Sequence, residues 1–195
     1  MGIAYRLMYA IGFTPWDRVL PDELKRVIEG PDALPKGRAL DVGCGKGAKT
    51  IYMAAHGWQV TGVDFVPRAL HEARKRAGAA GIEVDFRLGD VTRLGDLDLE
   101  PGYTLVFDFG CYHGLKSQQR ARYAEGVTPL AAPGATLLMM AFTRALPPVP
   151  SGVSDSELRE RFGPAWDLAW FKPSEETGTP AIIRAAAAWF CLKKR

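Results

Sequence analysis

Apolar and polar positions recur along this chain at two different periods, and the switches between them divide it into elements. Arg38–Val42 is a short apolar-rich run that ends in glycines, the pattern of a buried strand. Over residues 48–56 the period becomes that of a helix, and Gly57 stands where a helix is closed. Residues 58–63 are rich in β-formers. Pro67 opens a second helix at its first turn, and Gly81 follows its end near Ala80. Residues 82–88 alternate as a third strand, Tyr103–Phe109 reads as a fourth, and residues 117–127 read as a helix. Residues 135–142 form a buried fifth strand behind the turn Ala132-Pro133-Gly134. After the stretch Pro147-Pro148-Val149-Pro150 the pattern predicts a helix over 154–162. Two strands follow, 165–171 and 181–192, joined by a polar turn over 173–180.

Strands and helices taking turns in this way predict an α/β domain with a doubly wound, mainly parallel sheet of seven strands covered on both faces. The last two strands have only a short connection, so they are expected to close the sheet as an antiparallel hairpin. A chain of 195 residues suits one domain, residues 1–195. Within it, residues 1–30 precede the first strand, 38–142 carry the alternating core, and 151–195 hold the final helix and hairpin.

Composition narrows the picture without naming a function. Apolar residues make up 47% and charged residues 24%, as in ordinary globular proteins. A net charge of +3, with its only dense basic run at Lys193-Lys194-Arg195, argues against a nucleic-acid partner. No apolar run reaches the roughly 18 residues that a membrane span needs. The N-terminus lacks a basic region followed by an apolar one and a cleavage site, so a cytoplasmic protein is expected. Cys44, Cys111 and Cys191 form no CxxC pair, and no clustered set of metal ligands is seen.

The most informative segment is Leu40-Asp41-Val42-Gly43-Cys44-Gly45-Lys46-Gly47, a strand end running into a helix start. Glycines there permit positive φ and a close backbone approach to a ligand, and the new helix offers unpaired N–H groups. Dinucleotide and nucleoside-triphosphate sites share these features. Gly43-x-Gly45-x-x-Ala48 fits the dinucleotide fingerprint, whereas Ala48 stands where a phosphate loop needs glycine before its lysine. Asp41 divides what remains. A carboxylate at that strand end faces a pyrophosphate unfavourably and suits a cofactor carrying a cationic amino group. Asp64, at the end of the second strand, lies where an acidic residue accepts ribose hydroxyls.

The run Asp41-x-Gly43-x-Gly45-x-Gly47, with Asp64 and Gly89-Asp90-Val91, resembles the class I S-adenosylmethionine-dependent methyltransferases. The likeness covers about residues 38–142. It implies a Rossmann-like sheet with S-adenosylmethionine bound at the carboxyl ends of the strands. By the same resemblance Gly43, Cys44, Gly45 and Gly47 border the methionine part of that cofactor. Asp64 takes the ribose, Phe65 the adenine face, and Asp90 with Val91 the adenine edge. Phe109 is counted with these cofactor-binding residues. Phe65 as a core residue is an equally physical reading; for Asp90 the alternative is a helix N-cap, and motif and position together favour the adenine. Thr14-Pro15-Trp16-Asp17 resembles the Pro-Trp-Asp segment of thiopurine- and tellurite-resistance-type enzymes. Trp16 is there expected to lie over the cofactor as part of a lid.

The fourth strand should deliver the reacting groups, and it ends Asp108-Phe109-Gly110-Cys111-Tyr112-His113. This is neither the Asp/Asn-Pro-Pro-Tyr of base N-methylation nor the Pro-Cys of cytosine methylation. A small-molecule acceptor with an oxygen, sulfur or nitrogen nucleophile is therefore expected. His113 is the candidate general base, with Asp108 and Tyr112 orienting it. The alternative is a histidine that hydrogen-bonds a loop. A non-catalytic cofactor-binding module and an NAD-dependent oxidoreductase are the competing function classes.

Overall fold

The structure, a computed structural model, describes residues 17, 19–30, 33–147, 149, 151–175 and 180–195. Its elements run α1 (Asp22–Ile28), β1 (Arg38–Val42), α2 (Ala48–Ala55), β2 (Gln59–Asp64), α3 (Pro67–Ala80) and β3 (Asp85–Leu88). Next come β4 (Tyr103–Phe109), α4 (Ser117–Leu130), β5 (Ala131–Phe142), α5 (Asp155–Phe162), β6 (Trp166–Pro173), α6 (Ala181–Arg184) and β7 (Ala187–Lys194). Two 3-10 turns joined at a kink at Arg93 follow β3 over Val91–Asp96, and a single one follows β4 at Tyr112–Gly114. The strands form one seven-stranded sheet in the order β3-β2-β1-β4-β5-β7-β6. The first five are parallel, and β7 runs antiparallel to both β5 and β6. The Rossmann-like order reverses between β1 and β4, and ligands in such sheets bind at that switch point. Among the described residues no helix is long and apolar enough to cross a membrane.

Strict two-residue alternation assigns the strand side chains to opposite faces. In β4, Leu105 and Phe107 join the cluster under α1 and α2 with Leu24, Met53, Met140 and Trp189. Val106 joins the opposite cluster under α4 and α5 with Tyr123, Val127 and Phe162. In β5, Leu137 and Met139 face α4 while Leu138 and Met140 face α1 and α2. Both faces being buried explains why these strands read as continuous apolar runs.

Three elements differ from the sequence-based expectation. The third strand starts at Asp85, because Ile82 is engaged in closing the end of α3. Gly81 has φ +66°, its N–H bonds Gly78 O, and Ile82 N–H bonds Ala77 O, which together close the helix as a Schellman motif. The fifth strand begins at Ala131. Its partners jump from Tyr103↔Ala131 to Leu105↔Thr136, so the predicted turn at Gly134 (φ +75°) survives as a bulge inside the strand. The stretch expected as one last strand divides into α6 and β7. Ala187 pairs with Phe142, the last residue of β5, so the residues before it run beyond the neighbouring strand. There Pro180 O accepts the N–H groups of Ile183 and Arg184 and starts a helical turn instead.

Candidate active site

The glycine loop is tied to β2 by its own backbone. The N–H groups of Gly43 and Cys44 bond Val63 O at 2.8 and 3.0 Å, and Gly45 N–H donates to Asp64 Oδ2 at 2.8 Å. Gly43, Gly45 and Gly47 have φ of +79°, +55° and +78°. Gly43 also has no room for a side chain, since a Cβ there would stand 2.7 Å from Cys111 Cβ. Asp64 holds the second strap as well, its Oδ1 accepting Val66 N–H at 2.8 Å. It is 4% exposed, and burial raises its pKa despite these backbone donors.

Asp41 is 3% exposed at the end of β1 and accepts the Thr50 hydroxyl from α2. Burial pushes its pKa up to about 6, against the pull of Thr50 and Lys49. Beside it Lys49, also buried, sets its Nζ 4.6 Å from the centre of the Phe109 ring. Burial lowers that lysine to about 8, while Asp17 and Asp41 oppose the shift and Arg76 adds to it.

The segment after β4 is braced from the α4 side. Asp108, fully buried, accepts Cys111 N–H (2.8 Å), Tyr112 N–H (3.0 Å) and the Tyr123 hydroxyl (2.9 Å). Burial raises its pKa to about 7. Tyr123→Phe leaves that carboxylate one donor short. It should cost about 1–1.5 kcal/mol of stability in chemical denaturation, and an unchanged midpoint would remove the hydroxyl from the brace. Tyr112 turns its hydroxyl to Glu157, 3.4 Å away, and burial raises its pKa. His113 is 5% exposed and stacks on Phe142, ring centres 4.4 Å apart. Its Nδ1 accepts Phe142 N–H at 3.0 Å, and burial with the nearby Arg120 drives its pKa down to about 3. The ring is thus neutral with its proton on Nε2, so it presents a donor and not a lone pair. This geometry speaks against proton abstraction by His113.

Of the predicted residues, Asp41, Gly43, Cys44, Gly45, Gly47 and Asp64 come together at the ends of β1 and β2. Val91 is buried in the core beside this edge, and Phe65 packs near Val66 and Ala69. Asp90 caps the turn after β3, its Oδ1 accepting Thr92 N–H at 2.9 Å and the Thr92 hydroxyl at 2.8 Å. Asp108 and Tyr112 serve the opposite face from Phe109. Trp16 and the remainder of the proposed lid through residue 16 lie outside the described residues.

Four residues escaped the sequence reading: Lys49, Thr50, Tyr123 and Arg120. Arg120 is 2% exposed and donates to the carbonyls of Leu115, His113, Ser151 and Gly152 and to Glu157 Oε2. It shares the buried face of α4 with Tyr123, Ala124 and Val127. That i, i+3, i+4, i+7 spacing was the available signal. Lys49 likewise lies one turn before the buried Met53.

Comparison with known proteins identifies the family. Residues 39–134 match the methyltransferase-domain family. The chain is 30% identical over 167 residues to the 2-heptyl-1-hydroxyquinolin-4(1H)-one methyltransferase of Mycobacteroides abscessus, covering 82% of this chain and 71% of that one. A structure concerned with converting a disulfide bond into a thioacetal group during echinomycin biosynthesis superposes with a TM-score of 0.77. It is 23% identical and covers 100% of this chain and 93% of its own. The N-methyltransferase NodS from Bradyrhizobium japonicum, in complex with S-adenosyl-L-homocysteine, gives a TM-score of 0.66 at 16% identity, covering 81% and 78%. The chain belongs to the class I S-adenosylmethionine-dependent methyltransferases, and S-adenosylmethionine is its cofactor. The nicotinamide and non-catalytic alternatives are set aside. The donor set fits this cofactor: a left-handed glycine loop without side chains, a buried acid at Asp41 and a second at Asp64.

Proposed function

We propose that this enzyme methylates a small-molecule acceptor at an oxygen, sulfur or nitrogen nucleophile, and that a ring-borne oxygen is the favoured choice. The observation that carries the reading is the Gly45–Asp64 hydrogen bond, which holds a left-handed glycine loop against a buried acid beside Asp41. Bound S-adenosylmethionine supplies a methyl group on a positively charged sulfur. In this reading the loop from Gly43 to Gly47 holds the methionine part, with Asp41 pairing its ammonium. Asp64 accepts the ribose hydroxyls, and Phe65, Asp90 and Val91 border the adenine. The hydroxyl-bearing ring in the name of the Mycobacteroides abscessus relative supports an oxygen acceptor.

His113, Tyr112 and Asp108 take revised roles. Asp108 and Tyr112 hold the segment after β4 in shape, and His113 offers Nε2–H to the acceptor. Alignment then carries the rate, since in-line displacement needs the nucleophile held in one direction. Calorimetry with S-adenosylhomocysteine and NAD, followed by a product screen over phenols, N-hydroxy heterocycles, thiols and amines, tests the assignment. Binding of NAD alone would sink the assignment, and turnover confined to amines or thiols would overturn the choice of oxygen.

The Asp41 assignment predicts a pH effect. Its carboxyl has a raised pKa of about 6, so below that pH the free protein holds it protonated. An ammonium placed beside it favours the ionised form and expels the proton. S-adenosylhomocysteine affinity should therefore rise with pH through about 6 and then level off. Calorimetry at pH 5.5 in two buffers of different ionisation enthalpy should register proton release. An absence of release moves the ammonium elsewhere.

A further inference from the structure

We propose that the acceptor is bound already ionised, as an oxyanion on a flat apolar ring, with Lys49 and the Nε2–H of His113 as the groups that recognise its charge. The proposal rests on the methyltransferase reading above and adds the state in which the acceptor enters.

Two observations converge. The first is the absence of a proton acceptor among Asp108, Tyr112 and His113, the three polar residues at the end of β4 and in the turn after it. Asp108 spends its oxygens on Cys111, Tyr112 and Tyr123, and it faces α4. Tyr112 points to Glu157. His113 has Nδ1 occupied by Phe142 N–H. Among the described residues, these three thus offer a bound hydroxyl no ready acceptor for its proton, whereas an anion needs none.

The second observation is an apolar row with donors around it. Phe109, Met140 and Trp189 are successive partners across β4, β5 and β7, on the face beneath α1 and α2. Phe142 lies two residues beyond Met140 on the same face. Lys49 stands over Phe109 at the β1 side of this row. On its other side His113 stacks on Phe142, and its Nε2 comes within 3.4 Å of where a Cβ on Gly110 would be. The indole N–H of Trp189 is buried with no hydrogen-bond partner among the described residues. An apolar ring matches the partly exposed Phe109 and Phe142, with Met140 and Trp189 as the buried floor between them, and an oxygen anion matches the donors. Lys49 remains an ammonium at neutral pH, with Asp17 and Asp41 holding its pKa up against burial and Arg76.

The chemistry balances without a base. A lone pair of the acceptor oxygen forms the new O–C bond, the C–S bond breaks, and its electron pair goes to sulfur. One negative and one positive charge disappear together, and the hydroxyl proton has already gone to water.

The test measures binding in the S-adenosylhomocysteine complex at pH 7, by calorimetry. Two matched pairs serve as probes: 2,4-dinitrophenol against 2,4-dinitroanisole, and 2-heptyl-1-hydroxyquinolin-4(1H)-one against its 1-methoxy ether. The ionisable member of at least one pair should bind about 10- to 100-fold more tightly than its ether, as for a hydrogen bond to a charged group. Lys49→Met should erase most of that difference, Lys49→Arg should keep part of it, and His113→Phe should reduce it. Circular dichroism checks that each variant is folded. The parent comparison stands even if one is not. Ethers that bind as well as ionised rings, or no binding by any probe, would overturn the proposal. So would a Lys49→Met variant that loses S-adenosylhomocysteine affinity and keeps the anion preference, because the lysine would then serve the cofactor carboxylate. Failure of the parent protein to bind S-adenosylhomocysteine would instead fall on the cofactor reading.

Discussion

Arg120→Met should lower the unfolding free energy by about 3–5 kcal/mol, the range for removing one partner of a buried charge pair. The side chain is 2% exposed and joins three segments: the turn after β4, the stretch at Ser151 and Gly152, and α5 through Glu157 at 2.8 Å. Methionine fills much of the volume and satisfies none of the acceptors. Four carbonyl oxygens and a half-buried carboxylate lose a donor at once. Arg120→Lys should recover little, because a single ammonium cannot reproduce a planar fork that reaches five acceptors. Thermal unfolding should shift down by roughly 6–20 °C for a chain of this size. A shift of only a degree or two in either variant would mean that these loops are held by other contacts.

Asp64→Ala should weaken S-adenosylhomocysteine binding by about 1.5–3 kcal/mol, from loss of a charged acceptor for the ribose hydroxyls. The same substitution removes the acceptor of Gly45 N–H and Val66 N–H, so the glycine loop also loosens. Asp64→Asn separates these effects. Its single carbonyl oxygen can serve one strap or the ribose, and its affinity should fall between the other two proteins. Calorimetry on all three gives the order, and equal affinity for the alanine variant would remove Asp64 from the ribose site.

Much of the cofactor side is legible in the amino-acid sequence, because its determinants are local. Gly43, Gly45 and Gly47 are needed where φ is positive, and that need is written in residue type. Asp41 and Asp64 end strands whose apolar runs announce them. The acceptor side is less legible. His113 stands out by position, but its role depends on which nitrogen meets Phe142 N–H, 29 residues away in the chain. Lys49 reads as a surface lysine on an amphipathic helix until Phe109 and Asp41 are seen against it.

The sequence alone determined the alternation of strands and helices, the left-handed turns of the glycine loop and the helix closure at Gly81, because each follows from neighbours a few residues apart. Tertiary structure alone decided where β7 inserts, between β5 and β6, and where residues 181–192 stop being strand. In that run, apolar except for Arg184, a helix and a strand are equally compatible with the pattern. The choice falls to whether another strand's backbone lies alongside to take the hydrogen bonds, and β5 ends at Phe142. The inward turn of Arg120 was decided in the same way. A buried guanidinium is stable only where distant carbonyls converge on it, and no local rule places them there.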